Sequence, residues 1–316
     1  MTGLAILVVM DEPARIKAHK DSTVAMMLEA QARGHALWVA DIAALLLDRG
    51  QAAAAARPAE VADRPDWLRA GAPEIKPLNA FDLILMRKDP PVDGDYLTAT
   101  WLLDHAARDG VRVVNDPGAL RDANEKLAAT WFPACMAPSL VAADPALLRE
   151  FVGREEHAVL KPLHGMGGSG VFQAAAGDPN LNVIIETMTA EGRHAVMAQR
   201  YIPEARAGDK RILLIAGEAV PHALLRVPPA DDFRGNLARG GSGQGIDLTD
   251  RDRWIVSQVG PELNRRGVLF AGLDVIGDYL TEVNITSPTC IRELDRLYDI
   301  RIAAQLFDVL EARCSA

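Results

Sequence analysis

The stretch AVLKPLHGMGGSGVF, residues 158–172, decides the reading of the fold. Ala158–Lys161 has the composition of a buried strand and Val171–Ala174 that of a second one, so the glycines join strand to strand. Gly165, Gly167 and Gly170 satisfy G-x-G-x-x-G, but a dinucleotide site needs a helix after the loop to hold the pyrophosphate. The same residues have G-x₄-G spacing, yet Val171 and Phe172 stand where a P-loop has Lys and Ser or Thr. Both standard phosphate loops fail on context. What remains is a glycine-rich flap between two strands, with Lys161 just before it.

Protein kinases fold a flap of this kind over ATP phosphates. Glycines bring backbone N–H groups to phosphate oxygens with no Cβ in the way, and Lys161 would supply a point charge. A flexible surface hairpin with a solvated lysine is the plain alternative.

A second constellation lies in residues 272–284, GLDVIGDYLTEVN, which read as a hairpin. Glu282 and Asn284 are two apart and share a strand face. Asp274 on the partner strand opposes Glu282 if the loop has an odd count, such as Gly277-Asp278-Tyr279, a common bulged form. Two carboxylates and an amide oxygen would then converge, a hard-oxygen set suited to Mg²⁺ held jointly with phosphates. An ordinary hairpin with a wet polar side fits the same pattern.

Between these segments, RVPPADDFRGNLARGGSGQGID (226–247) has no apolar period, five glycines and three arginines. A structureless loop of roughly twenty residues in a compact domain is usually functional or disordered. Arg226, Arg234 and Arg239 suit a lid over anionic substrates, mobile without ligands and ordered with them. A plain insertion is the alternative.

Outward from this core, the first third alternates strand and helix: Leu4–Met10, Ser22–Arg33, Ala36–Ala40, Phe81–Met86, Tyr96–Arg108 and Val111–Asn115. Such units imply a mostly parallel sheet with helices on both faces. Residues 50–77 are Ala- and Pro-rich without a period and read as an irregular excursion. A helix is expected from Asn124 to about Trp131. The later chain mixes short strands with helices, one of them opened by a capping-box-like Thr249 and Asp252. At 316 residues, with 49% hydrophobic and 24% charged side chains, the chain is a globular protein of more than one domain. A formal charge of −9 argues against a general nucleic-acid binder. Cys135, Cys290 and Cys314 lack metal-like spacing and read as reduced thiols. No stretch is apolar enough for a membrane span or signal peptide, so a cytoplasmic setting is expected.

Several of these segments, with MRKDPP (86–91), Asn124-Glu125-Lys126, RGNLA (234–238) and TSPTCIRE (286–293), resemble ATP-grasp ligases, specifically prokaryotic-type glutathione synthetases. The resemblance runs over nearly the whole chain. It implies a Rossmann-like N-terminal substrate domain over 1–122 and a two-subdomain α+β ATP-grasp fold. Its small subdomain would cover 123–200, and its C-terminal one 201–316 with the mobile loop 227–247. It also implies that ATP phosphorylates the carboxylate of γ-glutamylcysteine and that the amine of glycine attacks the acyl phosphate, releasing ADP and phosphate.

Carried over by residue, Lys126, Lys161, Gly167, Gly168 and Arg211 would meet the phosphates. Gln199, Tyr201 and Ile202 would form the adenine hinge, with Asp209 near the ribose. Asp274, Glu282 and Asn284 would hold Mg²⁺, with Mn²⁺ as the alternative. Arg226, Arg234 and Arg292 would act on the substrate carboxylate or developing phosphoryl charge, and Arg87, Arg234, Asn236, Ser287 and Arg292 would bind substrate. His164 and Arg239 depart from the family's usual residues without removing a ligand. A homotetramer is the family's usual state. Another carboxylate–amine ligase, or a non-catalytic ATP-binding scaffold, is the competing reading.

Overall fold

The computed structural model describes residues 3–165, 167–229 and 241–315. The N-terminal part runs β1 (Ala5–Val9), α1 (Ser22–Ala32), β2 (Ala36–Ala40), β3 (Leu45–Asp48), β4 (Gln51–Val61), β5 (Leu68–Ala70), β6 (Glu74–Pro77), β7 (Leu83–Met86), α2 (Gly94–Arg108), β8 (Arg112–Val114) and α3 (Pro117–Asp122). Strands β2, β1, β7 and β8 lie in that order and all parallel. Ile6, Leu7, Val8 and Val9 are fully buried, because layers cover both faces of this sheet, and the run therefore shows no alternation.

Residues 50–77 are not irregular. They form β4, antiparallel to β2, with β3, β5 and β6 paired to it. Ala52, Ala53, Ala54 and Ala56 are buried, so both faces of β4 are covered and no period marks it in the sequence. The Asn124–Trp131 helix is also absent: only a 3₁₀ turn, Ala128–Trp131, forms. The Asn124 side chain accepts from the backbone of Lys126 and Leu127, and the Glu125 carbonyl accepts from Val283. Those bonds compete with the helical ladder and win.

The small subdomain comprises β9 (Ser139–Ala142), α4 (Pro145–Glu155), β10 (His157–Pro162), β11 (Phe172–Ala175), α5 (Leu181–Thr189) and β12 (Val196–Arg200). Its antiparallel sheet has the order β11-β10-β12-β9. Leu148, Phe151, Leu160, Ile185 and Ala198 belong to a core of its own. Residues of 123–136, by contrast, pack into a larger core that joins the N-terminal and C-terminal parts.

The remainder runs β13 (Asp209–Ile215), β14 (Glu218–Ala219), β15 (His222–Val227), β16 (Ser242–Asp247), α6 (Asp250–Arg265), β17 (Phe270–Ile276), β18 (Tyr279–Asn284), α7 (Ile291–Tyr298) and α8 (Ile302–Cys314). Its sheet has the order β16-β15-β13-β17-β18, with β14 on β13. The expected structureless loop is therefore shorter than 227–247, because 242–247 pairs with β15 along its length. This edge strand is largely exposed, which is why its residues carry no apolar pattern. Arg234, Asn236 and Arg239 lie outside the described residues. Thr249 and Asp252 do form the capping box of α6. α7, which the sequence pattern did not reveal, begins at Cys290 with a left-handed φ of 92°.

One side chain staples the N-terminal part to this sheet. Asn115 donates to the carbonyls of Phe270 and Ile285 at 2.7 and 2.6 Å and accepts from the backbone of Leu269 and Phe270. No helix among the described residues is long and apolar enough to cross a membrane.

Candidate active site

Strand periodicity builds the site. Asp209 and Arg211 are two apart on β13, so they share a face, and Lys210 between them points to the other. Asp209 pairs in register with Arg226 on β15, and Arg211 with Asp274 on β17. Asp274 in turn faces Glu282 on β18, and Gly272 faces Asn284. One sheet face therefore gathers six of the candidate side chains: Asp209, Arg211, Arg226, Asp274, Glu282 and Asn284. Lys210, on the opposite face, is hydrogen-bonded to the capping residue Asp252 of α6 and fixes the sheet to its helix.

The expected opposition of Asp274 and Glu282 is present, but the turn differs. The hairpin loop is the two-residue Gly277-Asp278, and a bulge at Thr281 supplies the extra residue that the register needs. Thr281 Oγ1 donates to the Asp274 carbonyl at 3.0 Å and fixes the bulge.

On this face the charges are paired, and Arg211, Arg226 and Asp274 are buried. Arg211 holds Asp274 through Nε and Nη2 at 2.5 and 3.0 Å. Arg226 holds Asp209 at 2.8 and 2.5 Å and also reaches Asp274 Oδ2 at 2.8 Å. Burial alone would raise the Asp274 carboxyl, but Arg211 and Arg226 outweigh it and hold it well below the usual carboxylate range. Gly272 makes the packing possible: a Cβ there would lie 2.9 Å from Arg211 Cδ.

Opposite stands the small subdomain. Lys161 on β10 is buried and donates to Gln199 Oε1 at 2.9 Å, and Gln199 Nε2 donates to Ser139 at 3.1 Å. Burial pushes the Lys161 ammonium pKa down, and the charge of nearby Glu282 offsets that only in part. Gly167 and Gly168 adopt positive φ, 62° and 72°, as a tight loop of backbone donors requires. Lys126 reaches across, donating to the Gly165 carbonyl at 2.9 Å and standing 3.5 Å from Glu282.

Between the two sheets lies a cleft that is partly open to solvent. Lys161, Gly168, Asp209, Asp274, Thr281 and Glu282 line its polar end, and Val159, Val171, Ile202 and Ile276 its apolar part. Gln199 to Ile202 form one edge, where Tyr201 stacks on His157 at 4.2 Å. Arg200 donates to the Tyr279 hydroxyl at 3.2 Å and bridges the subdomains.

Other expected residues lie apart from the cleft. Arg292 is bidentate on Asp63 at 2.6 and 2.7 Å and donates to the Ala18 carbonyl, so it ties α7 to the N-terminal part. Arg87 is buried against Thr23 and the Pro288 carbonyl, and Ser287 hydrogen-bonds Asp89. Asn284 Nδ2 donates to the Gly272 carbonyl at 3.3 Å, which leaves its oxygen for another partner. Glu125, beside Lys126, is a further charged residue that no sequence motif singles out. It accepts from Thr286 Oγ1 at 2.7 Å, and burial pushes its carboxyl pKa up.

The family model for the N-terminal domain of prokaryotic glutathione synthetase matches residues 4–121, and the model for its ATP-grasp domain matches 125–299. The chain is 54% identical over 311 residues to the glutathione synthetase of Xanthomonas campestris pv. campestris, covering 98% of each. It is 50% identical over 312 residues to that of Coxiella burnetii, covering 98% of this chain and 97% of the relative. Among solved structures, D-cycloserine synthetase DcsG superposes with a TM-score of 0.69 at 14% identity, covering 98% of this chain and 100% of that one. The ATP-grasp ligase PsnB gives 0.62 at 18% identity and 99% coverage of each, a likeness of fold. With both family domains matched and half of all positions shared along the whole chain, the protein belongs to the prokaryotic glutathione synthetase family.

Proposed function

We propose that the cleft ligates γ-glutamylcysteine to glycine at the expense of ATP, through an acyl phosphate. The observation that carries this reading is the meeting of Lys161, Lys126, Glu282 and the glycine-rich loop at one end of the cleft between the two sheets. The adenine would lie in the apolar part against Ile202 and Tyr201, with its phosphates toward the two lysines and the backbone of Gly167 and Gly168. A carboxylate oxygen of the acceptor attacks the γ-phosphorus, ADP departs, and a carboxylate becomes an electrophile. The amine nitrogen then forms a bond to the acyl carbon, phosphate leaves and one proton is released. Positioning and charge neutralisation supply most of the acceleration in such transfers.

Charge balance bears on the metal. Arg211, Arg226, Lys126 and Lys161 are nearly cancelled by Asp209, Asp274 and Glu282, so the protein alone cannot neutralise a triphosphate. Glu282 lines the cleft, and the Asn284 oxygen, two residues on along the same strand face, would join it in holding a hard cation such as Mg²⁺ or Mn²⁺ shared with phosphate oxygens. Asp274 would have to share its oxygens between such an ion and two arginines, since both already accept from Arg211 or Arg226. When bound, the divalent ion supplies neutralisation of developing phosphoryl charge.

Arg211 and Arg226 stay oriented by their carboxylates and present fixed dipoles beside the reacting phosphate. All three cysteines are free thiols, which supports work in the cytoplasm. Assembly as a homotetramer rests on family membership. The test is ADP release scored against a panel of carboxylates and amines. The reading expects turnover only with γ-glutamylcysteine and glycine together, and turnover with a different pair would replace it.

A further inference from the structure

We infer that Ser139, one strand beyond Gln199, is a positioning residue for Lys161. Its hydroxyl locks the Gln199 amide so that a neutral oxygen, and not a carboxylate, holds the lysine ammonium for a phosphate. The inference deepens the reading of the cleft as an ATP site and rests on it.

Strand register brings the three side chains together. Gln199 on β12 lies opposite Val159 on β10 and, across its other edge, opposite Ser139 on β9. Cross-strand partners share a sheet face, and Lys161 is two residues from Val159, so Lys161, Gln199 and Ser139 lie on one face. Lys161, Val159 and Gln199 line the cleft, and Ser139 stands one strand further out, behind its wall.

The direction of each hydrogen bond follows from counting donors. A serine hydroxyl has one hydrogen to give. Ser139 Oγ gives it to the Ala137 carbonyl at 2.8 Å, and Ala137 is buried with no other donor to that oxygen among the described residues. Toward Gln199 the hydroxyl can therefore only accept, and it accepts from Nε2 at 3.1 Å. The other end of the amide is then its oxygen, which accepts from Lys161 Nζ at 2.9 Å. A reversed amide would turn N–H groups toward an ammonium, which has no acceptor, and would leave both ends of a buried side chain unmade.

The neutral partner matters for charge. An ammonium carries three donors, so a single bond to an amide oxygen leaves donors and positive charge for an anion in the cleft. Among charged groups Glu282, another wall of the cleft, acts on Lys161 most strongly. Freed from Gln199, the flexible lysine stem would be drawn toward that carboxylate, which would neutralise the cation ahead of any phosphate.

The test asks whether Ser139 acts through Lys161. Ser139→Ala removes the acceptor, and calorimetry should show ATP bound about 3- to 10-fold more weakly, the range for one hydrogen bond. KM for γ-glutamylcysteine and for glycine should stay at wild-type values. In a Lys161→Met background the same substitution should cause no further loss of ATP affinity, because the side chain that Ser139 positions is gone. Ser139→Thr and Ser139→Val are close in shape and differ in the hydroxyl. Ser139→Thr should therefore bind ATP like wild type and Ser139→Val like Ser139→Ala, and the valine variant carries the test if Ser139→Ala does not fold. Wild-type ATP affinity in a folded Ser139→Ala or Ser139→Val overturns the assignment. An equal loss with and without Lys161 also overturns it, by showing that Ser139 acts on the strand and not on the lysine. A wild-type protein that binds no ATP would defeat the nucleotide reading of the cleft, and the inference with it.

Discussion

The two walls of the cleft between the sheets handle charge in opposite ways. On the large sheet, Arg211, Arg226 and Asp274 are buried and Asp209 is half-buried, and the four satisfy one another through direct pairs on β13, β15 and β17. On the small subdomain, Lys161 is also buried, and its hydrogen-bond partner among the described residues is the neutral Gln199 oxygen. The first wall is complete without ligand and should be rigid. The second is completed by whatever anion enters. That wall also rests on its own core, separate from the one that unites the rest of the molecule, so it can shift as a body. Charge placement thus distinguishes scaffold from grip, although both line one cavity.

The largest expected effect breaks the completed wall. Asp274→Asn leaves Arg211 and Arg226 buried with Asp209 as their remaining carboxylate, and breaking such a pair costs about 3–5 kcal/mol. Urea unfolding should register that loss, and a loss of less than about 1 kcal/mol, the worth of an exposed pair, would contradict the structural role. Glu282→Gln probes the same sheet at its open edge, where the side chain is 26% exposed. Stability should hold while ligation falls by about 10², equivalent to roughly 2.7 kcal/mol. Wild-type turnover at limiting Mg²⁺ would remove Glu282 from the metal site.

Gly272→Ala tests the packing behind Arg211. The new Cβ would sit 2.9 Å from Arg211 Cδ and 3.2 Å from Pro288 Cβ. Overpacking of this kind costs about 1–3 kcal/mol, and an unchanged urea midpoint would show that Arg211 has room to move.

Lys161→Met addresses the other wall and should give the smallest effect on the fold. It removes a buried, unpaired charge at similar volume, so stability should stay level or rise, while calorimetry should show ATP bound about tenfold more weakly or worse. The pH dependence has a definite sign. Burial puts the folded-state pKa of Lys161 below the ordinary value of about 10.4. Between the two values the unfolded chain holds more protons, so stability gains with rising pH. ATP affinity does the reverse, falling as pH rises through the depressed pKa and the ammonium is lost. That alkaline limb should disappear in Lys161→Met, and its persistence would assign it to another group.

The comparison also explains what the sequence allowed to be read. Period-two spacing made Glu282 and Asn284 legible as a pair, and the pairing of Asp274 with Glu282 followed from any connection that restored the register. The connection itself was not legible, since a bulge at Thr281 and a three-residue loop do the same work. Cross-sheet partners were out of reach: nothing local in the sequence says that Asp209 meets Arg226 or that Arg211 occupies Asp274. Arg292 shows the same limit, because its partner Asp63 lies 229 positions away. The alanines of β4 concealed a strand, as small side chains buried on both faces leave no pattern. The helix expected after Asn124 failed because its backbone bonds are taken by side chains and by β18.

The central claim is that a carboxylate is activated as an acyl phosphate beside Lys126, Lys161 and Glu282. It is tested most directly by labelling the cysteinyl carboxylate of γ-glutamylcysteine with ¹⁸O and running the reaction with ATP and glycine. An acyl phosphate transfers one labelled oxygen to the inorganic phosphate released, and mass spectrometry should find it there in step with tripeptide. Phosphate free of label, with tripeptide formed at a normal rate, would contradict the account.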